Sequence, residues 1–94
     1  LNDWCIARLA ARLGHADTAR DYAARAARGW NLWRDDLQSF APRRPDGSWV
    51  DPFDPFAMHW ECWNDPVSYE GPVAIWSMNM IHDLPGLLAR HGGD

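Results

Sequence analysis

The stretch SYEGPVAIWSMNMIHDLPGLLARHGG, residues 68–93, decides how this chain is read. It sets one carboxylate, Glu70, between the ring of Tyr69 and a helix start. Gly71 and Pro72 suit the N-cap and first helical positions. Ala74, Ile75, Met78 and Ile81 then recur at helical spacing and predict a buried face. Asp83 is placed to cap a closing helix that turns Leu84, Leu87 and Leu88 inward. The pair Gly92-Gly93 supplies the stop.

Upstream the pattern is again helical. Asp3 is a plausible N-cap for a first helix with Ile6, Leu9, Ala10 and Leu13 on one face and Arg8 and Arg12 on the other. Gly14 supplies a left-handed stop, and Asp17 can cap a second helix after a very short loop. There Tyr22, Ala23, Ala26, Trp30, Trp33 and Leu37 recur at steps of three and four. A loop that short makes the two helices antiparallel neighbours, and their alanines allow a close approach. Trp30 and Trp33 read as core packing rather than as sugar-stacking rings.

Between the two helical parts lies a different kind of chain. Residues 39–54 hold three prolines and the turn Pro45-Asp46-Gly47. Phe40 and Ala41 before it, and Ser48, Trp49 and Val50 after it, predict a short β-hairpin. Phe53, Phe56, Met58, Trp60 and Trp63 follow, too much apolar surface to stay in water, so an ordered loop is expected. Long ordered loops are often functional. The fold expected is all-α with a short β-hairpin and a long ordered loop inserted. The parts are a helical hairpin over 1–37, the hairpin and aromatic loop over 38–68, and a helical pair over 69–94.

The chain has 94 residues and a net charge of -4. That length bounds it to one small domain with a modest core. Its nine cations are all arginines, scattered among acids, so no basic stripe for nucleic acid exists. No signal peptide or membrane-spanning run is present. Leu1 at the start and a helix stop at the end predict a piece of a longer protein. Cys5 and Cys62 read as two buried thiols rather than a bridge. Seven tryptophans lean toward carbohydrate, though indoles also fill cores.

Other chemistry is sparse. His15, His59, His82 and His91 show no pairing at helical metal spacing, and His59, Glu61, Cys62 and Asp65 fit no zinc pattern. There is no phosphate loop and no nucleophile elbow. Asp51 and Asp54 look like turn chemistry beside prolines. Glu70 remains, as a catalytic acid, a cap or a surface ion-pair partner. A helix N-terminus favours its ionised form, whereas a general acid must hold its proton near neutral pH. Desolvation by Tyr69 and the tryptophans would have to outweigh the helix end.

With these residues in place the chain resembles glycoside hydrolase family 92, the calcium-dependent exo-acting α-mannosidases. DWCIARLAARLGH is similar to the family's helix with its Leu-Gly turn. PRRPDGSWVDPFDP resembles its Arg…Gly-Ser…Pro-Phe-Asp-Pro signature through Arg43 or Arg44, Gly47, Ser48, Pro52, Phe53, Asp54 and Pro55. The ending resembles its Glu-Gly…Trp-Glu/Gln-Tyr, Pro-His-Asp and Gly-Gly blocks. The resemblance implies a fragment of an α/α toroid, a mannose-containing glycan as substrate and an inverting glycosidase with Glu70 as general acid. Tyr69 and Trp76 would then shape the sugar site. The base and the groups around calcium, an ion thought to help distort the bound mannose, would lie in later motifs. The rest of a parent chain would pack on this piece, which alone would be inactive, and the family's setting implies an extracytoplasmic location.

Four positions depart from the family pattern. The family's Trp falls on Ala74 and its Glu/Gln on Ile75, with Tyr on Trp76 and Pro on Ile81, while His82 and Asp83 match. They leave open a non-catalytic helical module that binds carbohydrate or a protein partner through the Trp-rich loop.

Overall fold

The computed structural model describes residues 1–57 and 71–93. They are mostly helical, with a short two-stranded antiparallel hairpin, and divide into two compact units, Leu1–Asn31 and Leu32–Asp94.

The first unit is a helical hairpin of α1 (Asn2–Arg12) and α2 (Ala16–Ala27). Gly14 adopts φ +80° at the turn. Its N–H reaches the Ala11 carbonyl at 3.2 Å, and the His15 N–H reaches Ala10 at 2.9 Å. These are the paired bonds of a Schellman stop. Asp3 in the first turn of α1 bonds Arg25 in the last turn of α2 at 3.3 Å, which makes the helices antiparallel as expected. Neither Asp3 nor Asp17 is a cap. The caps are Leu1 and His15, without side-chain bonds, and Asp17 instead pairs with Arg20 at 3.0 Å.

Alanines make this unit's core: Ala7 and Ala10 are buried, whereas Ile6, Leu9 and Leu13 are 41, 59 and 63% exposed. Of the apolar stripe read from the sequence only Ala10 is buried, together with Ala7, which lay outside that stripe. Cys5 is free as expected, but exposed rather than buried.

The predicted second helix is too long. It ends at Ala27, a 3-10 turn covers Arg28–Leu32, and Trp33 lies in a strand. Gly29 costs an α-helix about 1 kcal/mol relative to alanine, and Trp and Asn are poor formers beside it. The strand gives Trp33 better company. β1 (Trp33–Arg34) pairs with β2 (Ser39–Phe40), Trp33 opposite Phe40, across a turn at 35–38. Trp33 is buried, with its ring edge-on to Phe40 at 5.4 Å and to His91 at 5.2 Å. It does pack in a core, as expected, but from a strand.

The hairpin expected around Pro45-Asp46-Gly47 is reduced to a turn and one bridge. Gly47 has φ +87°, Arg44 and Ser48 close the turn at 2.8 Å, and Arg43 faces Trp49 in an isolated bridge. Phe40 pairs back to Trp33 instead of forward. Pro42 and Pro45 have no N–H to donate, so a regular ladder cannot form there.

After Gly71 come α3 (Val73–Ser77), a 3-10 turn (Ile81–Asp83) and α4 (Leu84–Arg90). Pro72, not Gly71, is the N-cap residue of α3. Asp83 caps α4 as predicted, its carboxylate accepting the Gly86 N–H at 3.1 Å. Gly92, φ +75°, and Gly93 close a second Schellman stop on Ala89 and Leu88. The inward faces expected here hold only at Leu87, which is buried. Ile75, Met78, Ile81, Leu84 and Leu88 lie exposed. α3 has one and a half turns, too few to carry a continuous apolar face.

Candidate functional site

Glu70 and Tyr69 lie outside the described residues, as do His59, Glu61, Cys62 and Asp65. The frame on either side of them is described.

On the upstream side, Asp54 folds the Pro-Phe-Asp-Pro segment into a turn. Its carboxylate accepts the Phe56 N–H at 2.9 Å and its carbonyl accepts Ala57 N–H at 3.2 Å. This is the turn chemistry expected of Asp54. Pro55 is buried, and its carbonyl accepts the Ala74 N–H at 2.9 Å. That bond satisfies one of the donors a helix start leaves open and joins the end of the signature to the first turn of α3.

On the downstream side, Pro72 is buried and extended, and Gly71 connects it to position 70. Trp76 folds back along Gly71. A Cβ there would sit 3.6 Å from the indole Nε1, an ordinary contact. The residue as a whole is 44% exposed, so Trp76 is held on one side and open on another. The open part of such a ring offers a flat apolar surface.

A pair of serines fastens α3 from behind. Ser77 and Ser39 are the most buried polar residues described, at 1 and 2% exposure. Their hydroxyls lie 2.8 Å apart; Ser77 Oγ also accepts the Phe40 N–H at 2.9 Å and donates to the Val73 carbonyl at 2.8 Å. The Ser39 hydroxyl also reaches the Phe40 carbonyl at 3.1 Å, so the two serines join β2 to α3 in one small network.

The arginines of the signature bond to its own turn. Arg43 Nε donates to the Gly47 carbonyl at 2.7 Å, and Arg44 donates to the Trp49 carbonyl. Asp46 accepts from the Ser48 N–H and hydroxyl, and the backbone bond foremost holds its carboxyl below the usual range. Arg34 ties β1 to this region. It grips Asp36 through two bonds of 2.6 and 3.0 Å, reaches Asp51, and lies over the Trp49 ring at 5.5 Å. Hydrogen bonding to Arg34 lowers the Asp36 pKa and raises that of Arg34. Asp51 is therefore an ion-pair partner, whereas only turn chemistry was expected of it. His82 is pushed below the usual histidine range by burial, and its neighbour Asp83 caps α4.

Sequence reasoning did not find Arg34, Ser39 and Ser77. Only Ser77 left a trace, as a lone hydroxyl inside an apolar helical run. Among the described residues no cluster of three or more His, Cys, Asp or Glu could hold a metal ion. None of the described helices is long and apolar enough to cross a membrane.

Comparison with known families gives a match to the glycosyl hydrolase family 92 catalytic domain over residues 1–94. The chain belongs to that family, which makes it part of a glycoside hydrolase with a glycan as substrate class. No curated protein matches it.

Proposed function

From that membership we propose that the intact protein is an exo-acting α-mannosidase that removes terminal α-1,2-linked mannose with inversion. Glu70 is the general acid, giving its proton to the leaving glycosidic oxygen as the bond to the anomeric carbon breaks. A second carboxylate, elsewhere in the protein, draws a proton from the attacking water on the opposite face of the sugar. In inverting enzymes the two carboxyls stand about 6.5–9.5 Å apart to leave room for that water. Tyr69 and Trp76 shape the sugar site. The toroid, the extracytoplasmic setting and the packing of further chain on this piece belong to the same reading.

The observation that carries it is the Pro55–Ala74 bond. It brings the Pro-Phe-Asp-Pro signature against the helix that follows Glu70, so two blocks apart in sequence form one frame. The helix itself weakens the electrostatic objection to a protonated Glu70. α3 has five residues and its N-cap residue is Pro72, two positions beyond Glu70. Few aligned peptide dipoles contribute, and their influence fades beyond the terminal turn. Desolvation thus has less to overcome.

Calcium is part of the family expectation. The described residues do not fit it, since none of their His, Cys, Asp and Glu side chains gather in a group of three or more that could hold the ion.

The test is mannose release from α-1,2-mannobiose by the intact enzyme with calcium, wild type against Glu70→Gln. General acid catalysis is worth about 10²–10⁴-fold, and a loss of that order supports the assignment. Undiminished activity removes Glu70 from the mechanism. A wild type inert on all α-mannosides favours the binding-module reading, with Ala74 and Ile75 as the responsible departures.

A further inference from the structure

We propose that the open cavity between the start of α1 and the end of α2 is a sugar-binding subsite built around the Asp3–Arg25 ion pair. The inference rests on the glycan substrate class of the family and not on any role of Glu70.

The cavity lies wholly within the first compact unit. Its volume is about 450 Å³, and Leu1, Asn2, Asp3, Arg25, Ala26 and Gly29 line it. Small-molecule sites run from about 300 to 1,000 Å³, so a small sugar is of matching size. Ala26 and Gly29, with little or no side chain, leave the cavity its room.

Two contacts hold its charged wall. Arg25 meets Asp3 through Nε at 3.3 Å, and its guanidinium lies over the Tyr22 ring at 4.7 Å. Ring and carboxylate together restrain a side chain that is otherwise long and mobile. None of Asn2, Asp3 and Arg25 makes a side-chain hydrogen bond among the described residues. Their hydrogen-bonding capacity therefore stays available beside the cavity. It comprises guanidinium N–H donors, carboxylate acceptors and a carboxamide that offers both.

Charge then selects the ligand. An anion drawn by Arg25 meets Asp3, and a cation drawn by Asp3 meets Arg25. The pair is neutral as a unit and disfavours a net charge of either sign. It favours a neutral molecule with several hydroxyls, each able to donate to the carboxylate or accept from the guanidinium. Neighbouring hydroxyls of a hexose meet that demand together. A partly exposed ion pair contributes little to stability, so substitutions here should leave the fold intact.

The test is amide NMR of the intact protein titrated with methyl α-mannoside and methyl α-glucoside, with phosphate and tetramethylammonium as charged controls. Saturable shifts of the Asn2, Asp3 and Gly29 amides with at least one hexoside, and none with either control, are expected. Asp3→Ala and Arg25→Ala should each weaken that binding roughly 10–100-fold, the worth of a hydrogen bond to a charged group. Asn2→Ala leaves the ion pair in place and should weaken it less, about fivefold.

Absence of shifts with both hexosides overturns the proposal, as do shifts that all three variants leave unchanged. Tighter binding of phosphate makes the cavity an anion site and overturns it too. If a variant of the ion pair does not fold, the loss in Asn2→Ala alone supports the subsite, and wild-type binding by Asn2→Ala overturns it. A protein inert on α-mannosides whose Asn2 and Gly29 amides still respond to a hexoside refutes the α-mannosidase reading and upholds this one.

Discussion

Replacing Gly86 by alanine sets two effects of similar size against each other at the start of α4. A Cβ at this position would come within 2.7 Å of the Asp83 Cγ and 2.8 Å of its Oδ1. Real carbon contacts are never that short, so the Asp83 carboxylate must swing away. It then loses the 3.1 Å bond to the Gly86 N–H that caps the helix. Loss of an N-cap costs about 1 kcal/mol. Against this, alanine is favoured over glycine in a helix by up to about 1 kcal/mol. The single substitution should therefore leave α4 nearly unchanged in stability, within about 0.5 kcal/mol on these figures. Asp83→Ala alone should weaken it by about 1 kcal/mol. In that background Gly86→Ala meets no carboxylate and should restore about 1 kcal/mol. The cycle thus predicts a coupling of about 1 kcal/mol between two residues three apart. Amide hydrogen exchange of α4 in the intact protein reads it, since about 1 kcal/mol changes protection roughly fivefold. If Gly86→Ala shifts protection equally with and without Asp83, the two effects are independent. The steric reason for glycine at this position is then wrong.

Two further expectations concern titration. The Asp36 carboxyl is held below the ordinary range chiefly by its bonds to Arg34. A group with a depressed folded pKa contributes stability that is complete above its unfolded value and is lost as pH falls through the folded one. Carboxyl NMR should show the Asp36 midpoint returning to the ordinary aspartate range in Arg34→Met; an unmoved midpoint contradicts the assigned cause. Burial likewise lowers His82, so its neutral form is the one the fold prefers. Stability linked to it should be full above the usual histidine range and decline as pH drops through that range toward the depressed value. A ring-proton titration of His82 at or above the usual range would contradict this.

The parts legible in the sequence are those with local physical signatures. Gly14 and Gly92 mark two Schellman stops because both need a positive φ, and Asp83 announces its cap by sitting just before a helical run. The Asp46-Gly47 turn and the Asp54 turn were readable for similar reasons. The parts that were not legible depend on distant partners. Trp33 fits a helical stripe as well as a strand, and only Phe40 and His91 together decide in favour of the strand. Ile6, Leu9 and Leu13 make a convincing inner face, yet α2 meets Ala7 and Ala10, because small side chains let two helices approach closely. Of the candidate site, Trp76 was expected to shape the sugar site, and the packing of its indole against Gly71 had no signature in the sequence. Ser39 and Ser77 are 38 positions apart, and no spacing rule connects two serines across that distance.

The bond from Ala74 N–H to the Pro55 carbonyl has a consequence for how such a site can diverge. Both partners are main-chain atoms, so every residue type except proline preserves the joint. The side chain at position 74 is thereby released from any duty in holding the frame. A tryptophan, as the family pattern has there, and the alanine of this chain satisfy the same bond. Residues of different size can therefore stand at 74 without breaking the joint to Pro55. The joint is carried by the backbone alone, so its geometry is indifferent to the chemistry of the side chain that stands on it.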